Sequence, residues 1–317
     1  MSATLALESV ERTSGLWPRR WALGAALAAV PLVLFGGSVT TLGAGMAVEG
    51  WLIAEGHFLL FFPVEKWFRD TATFVEHTHR LFGVLVGLCA LACVAATWLN
   101  EAGARARRSA LVALAAVCLQ GTLGGLRVLA DDSQLAFLHG ALAQLVFALL
   151  AANVLLVSGE WRVERARVGA PAERTALARV ARVAWLVTLA QVALGAWYRH
   201  GLRPVPVASE GLRFLLHGLG ALLVLASAAA VMRRAAPLRT AGPLPASLVL
   251  ALRALPVVLL VQLVLGGLAW AGFRPGAIGP AEWGLSILHV LGGAVLLSAL
   301  TLVVLWSARL ARPEAAR

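Results

Sequence analysis

The sequence predicts an all-α integral membrane protein with eight transmembrane helices, arranged as two pseudo-repeated four-helix bundles. Three observations lead there. The chain of 317 residues is 60% hydrophobic and only 14% charged, with a mean hydropathy of +0.83. Several apolar runs approach the ~20 residues that a helix needs to cross a bilayer. These runs are continuous in Leu, Ala and Val rather than alternating, which favours helices over a barrel. A short pattern also returns along the chain, each time followed by a histidine.

In chain order, a polar segment ends in Arg19-Arg20 and an apolar run follows to about residue 40. That run exceeds the ~7–15 residues of a signal-peptide core, so it reads as a retained first helix. A long loop, about 41–75, carries Gly43, Gly45, Gly50 and the rings Trp51, Phe61, Phe62, Trp67 and Phe68. Such rings suit the headgroup belt, and the loop reads either as a surface segment or as a lid over a site. Helices 2, 3 and 4 fall at about 76–98, 109–129 and 134–158, and helices 5 to 8 at about 183–198, 212–232, 252–271 and 283–306. The domain expectation is therefore an N-terminal half at 21–158, a charged connector at 159–182 and a C-terminal half at 183–308.

The net charge of +11 raises nucleic acid as a partner, but its distribution excludes it. Most of the 27 Lys and Arg residues fall in the segments on the side of the two termini. This is the positive-inside pattern, so the charge reports topology, with both termini cytoplasmic. Cys89, Cys93 and Cys118 all lie in apolar helices and read as packing residues.

The recurring pattern is Gln120-Gly-Thr-Leu-Gly124-Gly125, Gln191-Val-Ala-Leu-Gly195-Ala196 and Gln262-Leu-Val-Leu-Gly266-Gly267. Small residues let helices approach closely; they could equally make room for a flat ligand. Each even-numbered helix then carries a histidine near its outer end: His79, His139, His217 and His289. Two histidines per half are too few for a zinc or copper site, which needs three or four close ligands. A haem iron needs only two axial ligands from opposite sides. Arg80, Arg127, Arg199 and Arg213 lie near the outer helix ends and could meet propionates or lipid headgroups. Glu76 precedes His79 by three residues, close to the same helix face. It reads either as a favourable anion at a helix N-terminus or as an acid–base group beside a haem. His57, His77 and His200 receive no role.

The ordered set resembles the haem A synthase family. It comprises Gly37-Ser-Val-Thr-Thr-Leu-Gly-Ala-Gly45, Glu76-x-x-His79-Arg80, Gln120-Gly-x-Leu-Gly-Gly-x-Arg127, His139-Gly, His217-Gly and His289. The resemblance implies oxidation of the C8 methyl of haem O to the formyl of haem A by successive hydroxylation, for cytochrome oxidase assembly. It implies that His79 and His139 flank the substrate haem, that His217 and His289 hold a haem b, and that Glu76 is the catalytic carboxylate. Arg80 and Arg127 become propionate contacts. Haem O synthase and a quinone or other electron acceptor are the implied partners, within the lipid bilayer of a bacterial-type inner membrane and with the haem sites towards the outer side. The chain departs from many bacterial members in having no cysteine in residues 41–75, so it resembles the cysteine-free variety. A membrane di-haem b-type electron-transfer protein and a haem exporter or chaperone are the alternative readings.

Overall fold

The computed structural model describes residues 16–163, 168–200, 207–272 and 278–312. The polar segment 1–15 and part of the expected connector, 164–167, lie outside the described residues. Eight helices among the described residues are long and apolar enough to cross a membrane. They are α1 (Leu16–Thr41), α2 (Thr71–Leu99), α3 (Ala104–Ala130), α4 (Ser133–Leu156), α5 (Pro171–His200), α6 (Val207–Ala241), α7 (Ala246–Gly272) and α8 (Pro280–Leu310).

Most helices start earlier than hydropathy predicts, because the first polar turn is helical too. Helix α2 starts at Thr71, capped by Asp70, whose carboxylate accepts from the Thr73 N–H at 2.8 Å and from the Thr73 hydroxyl at 2.8 Å. Glu76 therefore sits in the second turn, and Asp70, not Glu76, supplies the N-terminal anion. Likewise, Arg105, Arg107 and Arg108 lie on α3 itself, and residues 171–182 of the expected connector belong to α5.

The contacts divide the chain into two compact units. One comprises Met1–Val163 with Leu265–Leu291; the other comprises Glu164–Val264 with Gly292–Arg317. In the first, α1 packs on α2 and α4, and α3 packs on α2 and α4, which closes a ring of four helices. Alanines let these backbones approach: Ala22, Ala25, Ala29, Ala106, Ala110 and Ala113 are buried, with Cys89, Cys93 and Leu150 filling the gaps. A polar chain ties the four helices at the end away from the 42–70 loop. Ser109 Oγ donates to Asn153 Oδ1 (2.8 Å), Asn153 Nδ2 reaches Cys93 Sγ (3.5 Å), and the Cys93 thiol reaches the Pro18 carbonyl (3.4 Å). The loop end of α8 joins this unit: Trp283 Nε1 donates to Ser38 Oγ at 2.9 Å, and Ile287 covers Gly37. In the second unit α5 packs along α6. Trp185 Nε1 there donates to Thr301 Oγ1 at 2.9 Å, and Trp306 Nε1 donates to Ser247 Oγ at 2.8 Å.

The loop between α1 and α2 is a small folded element. Strands β1 (Ile53–Ala54) and β2 (His57–Phe58) pair antiparallel, with Ile53 opposite Phe58 and Ala54 opposite His57. The two-residue turn Glu55-Gly56 has both φ angles positive, 46° and 81°, as a tight right-twisted hairpin requires. A 3-10 turn (Leu59–Phe61) and a single helical turn (Val64–Trp67) then lead back to α2.

Candidate haem site

Four histidines sit on four glycines. In α2, His79 lies against Gly36 of α1, where an added Cβ would stand 2.7 Å from the ring's Cε1. His139 of α4 lies in the same way on Gly124 of α3 (2.9 Å), His217 of α6 on Gly195 of α5 (2.9 Å) and His289 of α8 on Gly266 of α7 (2.8 Å). The glycine four residues after the glutamine in each sequence repeat is thus a seat for an imidazole. Gly36, which the repeat pattern did not include, is the fourth seat. The α3–α4 turn explains the register: Asp131 ends α3 in the left-handed conformation and Asp132 caps α4 at once. Gly124 and His139 then stand about two helical turns back from the bend on facing helices.

In the first unit the rings of His79 and His139 come together, with centroids 6.3 Å apart and planes at 86°. His79 Nδ1 lies 3.0 Å from the Leu32 carbonyl, and His139 Nδ1 lies 3.2 Å from the Gln120 carbonyl. In His79, where Nδ1–H donates to the Leu32 carbonyl, Nε2 is left bare for coordination; His139 Nδ1 also lies 3.1 Å from Gln120 Nε2. Two imidazoles bound on opposite sides of one metal ion, each at about 2 Å, have ring centres roughly 6 Å apart. The observed pair therefore fits two axial ligands of one iron. In the second unit, His217 is stacked by Tyr198 (6.4 Å, 9°) on its Gly195 seat.

Glu76 is buried, at 3% exposure. Its Oε1 accepts from Arg80 Nη2 at 2.7 Å and its Oε2 from the Val48 N–H at 2.9 Å. The same guanidinium donates to the carbonyls of Val48 (2.8 Å), Gly50 (2.8 Å) and Trp51 (3.4 Å). Arg127 of α3 donates to the Gly45 carbonyl at 3.2 Å, and Trp51 packs on Gly125. Both arginines expected to meet propionates thus hold the loop in this structure. The loop lies over the end of the ring of helices that carries His79 and His139.

His77 points into the loop, not towards His79. It is 2% exposed, with the rings of Phe62 at 4.6 Å and Trp67 at 5.2 Å, and its Nδ1 has no hydrogen-bond partner among the described residues. Trp67 Nε1 donates to Thr78 Oγ1 at 3.0 Å. Phe62, expected in the headgroup belt, is instead a core residue of the loop with Val48 and Ala54. Phe61 and Phe68 are exposed, at 78% and 60%.

The outer edge of the loop is pinned by charge. Arg69 binds both oxygens of Glu55, at 2.7 and 3.0 Å, and donates to the Ala47 carbonyl at 2.9 Å; Lys66 Nζ is 3.2 Å from Glu55. The Arg69 hydrogen bonds, with Lys66 beside them, hold Glu55 below its ordinary value of 4.5. A carboxylate with a depressed folded-state pKa stabilises above its unfolded value and loses that contribution as the pH falls through the folded one. Acidification from pH 7 to below about 4 should therefore loosen the hairpin edge. Proteolysis at Lys66 should accelerate in a Glu55→Gln protein already at pH 7, with no further acid response at this site.

Taken together, the fold and site define a multi-pass membrane protein that sets histidines on glycines between facing helices, two of them with ring centres 6.3 Å apart. The family model COX15-CtaA, described as cytochrome oxidase assembly protein, matches residues 19–209. The chain belongs to this family of cytochrome oxidase assembly proteins. A comparison with curated proteins finds no match.

Proposed function

We propose that the protein is a haem A synthase, which oxidises the C8 methyl of haem O through hydroxymethyl and geminal diol stages to the formyl of haem A, with loss of water from the diol. The observation that carries this reading is the His79–His139 pair, 6.3 Å between ring centres, seated on Gly36 and Gly124. Haem O is the substrate of that pair. His217 and His289, each on its own glycine, are the proposed ligands of a haem b, which when bound would supply one-electron chemistry.

The chain's own residues divide the remaining work. Glu76 is the proposed acid–base group, oriented by Arg80 and by the Val48 N–H, with lone pairs left on both oxygens to take a proton. Arg80 and Arg127 would meet the propionates by exchanging loop carbonyls for carboxylate oxygens, the stronger charge-assisted acceptors. The loop, with its aromatic core, would keep water from the reacting face. The setting is a bacterial-type inner membrane with the termini cytoplasmic and the haem sites outward. Haem O synthase as supplier and a quinone or similar acceptor are the proposed partners.

The test is to express the protein in a host that makes haem O and to extract the haems. Haem A or its hydroxymethyl precursor is the expected product, absent from the His79→Ala protein. Abundant haem b with no modified haem would overturn the reading in favour of a di-haem electron carrier.

A further inference from the structure

We propose that Gln120 and Gln191 are positioning residues that set the orientation and the tautomer of His139 and His217; this rests on the reading of those histidines as iron ligands. Each glutamine lies one helical turn before the glycine that seats the ring. Gln120 Nε2 is 2.7 Å from the His139 carbonyl and 3.1 Å from His139 Nδ1. Gln191 Nε2 is 2.8 Å from the His217 carbonyl and 3.0 Å from His217 Nδ1. The same geometry thus occurs once in each unit.

The chemistry of the amide makes this a directional contact. A backbone carbonyl only accepts, so the atom facing it is the glutamine nitrogen and not its oxygen. That nitrogen carries two hydrogens, one for the carbonyl and one for Nδ1. With Nδ1 accepting, the neutral ring carries its proton on Nε2. Coordination through Nε2 moves the ring proton to Nδ1, where His139 can give it to the Gln120 carbonyl at 3.2 Å. The amide N–H then lies beside an N–H and makes the imidazole a poorer electron donor to the iron.

His79 is the internal contrast. The residue one turn before its glycine seat is Leu32, which has no side-chain amide, and among the described residues the Leu32 carbonyl alone faces Nδ1, at 3.0 Å. His79 is therefore preset with a bare Nε2, while His139 and His217 are held in the other form until they bind. Gln120 and Gln191 on one side and Leu32 on the other are, on this reading, two kinds of histidine holder. The histidine beside Glu76 is the one without the amide.

The experiment uses the full-length protein purified with its haem b and titrated potentiometrically, comparing wild type, Gln191→Leu and Gln191→Glu. Removing the amide makes the ligand more basic and favours ferric iron, by about tenfold in the redox equilibrium, or 59 mV for one electron. The isosteric carboxylate of Gln191→Glu accepts the Nδ1 proton and should lower the potential further. A merely structural contact would not give this order. Equal potentials in all three proteins, or a rise in Gln191→Glu, would overturn the proposal. A His217→Ala protein run alongside separates the two readings. If it keeps the haem b spectrum, the ligand assignment falls. If it loses that spectrum while the glutamine variants match wild type, only the positioning role falls.

Discussion

A Gly124→Val protein should fold, insert and lose the first haem site. The added side chain enters the space of the His139 ring, since even a Cβ would stand 2.9 Å from Cε1. The neighbour that must give way is the imidazole itself, because the α3 backbone is held by its packing on α2 and α4. Loss of partners one shell from a metal typically costs 10–100-fold in affinity, and displacing the ligand ring should cost at least about 100-fold. Gly36→Val should do the same through His79. Haem retained at the first site, read by extraction and by the low-spin optical spectrum, would mean that the seat does not hold the ligand. Gly121, one turn earlier on α3, has nothing within 4 Å of an added Cβ, so Gly121→Val is the control for valine in the same helix.

The glycines also show where sequence reasoning reached and where it stopped. The helix set was legible because membrane crossing needs length and apolarity, and both are readable from composition. The histidine set was legible because imidazoles are rare in apolar helices. What each glycine does was not, since close helix packing and seating a ring use the same absence of a side chain. Gly36 escaped notice because its repeat has Leu32 where the others have glutamine, although the carbonyl that replaces the amide is common to every residue. His77 could be set aside from spacing alone: two positions from His79 on a helix, it faces away. That it anchors Phe62 and Trp67 was hidden, because the loop's aromatic core depends on a hairpin whose turn is Glu-Gly rather than Asn-Gly or Asp-Gly.

Arg80 is the clearest case of a residue whose type was legible and whose present partners were not. A guanidinium at a membrane edge reads as an anion site, and Glu76 is an anion one turn away at i, i−4. The competing acceptors, the carbonyls of Val48, Gly50 and Trp51, lie about thirty residues away in sequence. No local pattern announces them. On the proposed function, the loop and a propionate would compete for one guanidinium, and loop docking and substrate entry would be linked through Arg80.

That linkage sets what Glu76 substitutions should do, and allows its two roles to be separated. Glu76→Ala leaves Arg80 without its buried counter-charge and the Val48 N–H without its acceptor. Removing one partner of such a pair costs about 3–5 kcal/mol, enough to undock the 42–70 loop. Proteolysis in that loop should rise, and the fluorescence of Trp51 and Trp67 should shift as their surroundings become wet. Glu76→Gln is the sharper probe. Its amide oxygen can still accept from Arg80 or from Val48, so the loop should remain largely protected while proton transfer is lost. Acid–base groups typically contribute 10²–10⁴-fold, and turnover of haem O should fall by about that factor with both haems in place. Arg80→Leu completes the comparison, because it undocks the loop and leaves the carboxylate present. If Glu76→Gln turns over haem O at the wild-type rate while Arg80→Leu does not, Glu76 is a loop anchor and the acid–base assignment is wrong. If Glu76→Gln is inactive with its loop protected and its haems bound, the carboxylate's proton chemistry is what the reaction needs.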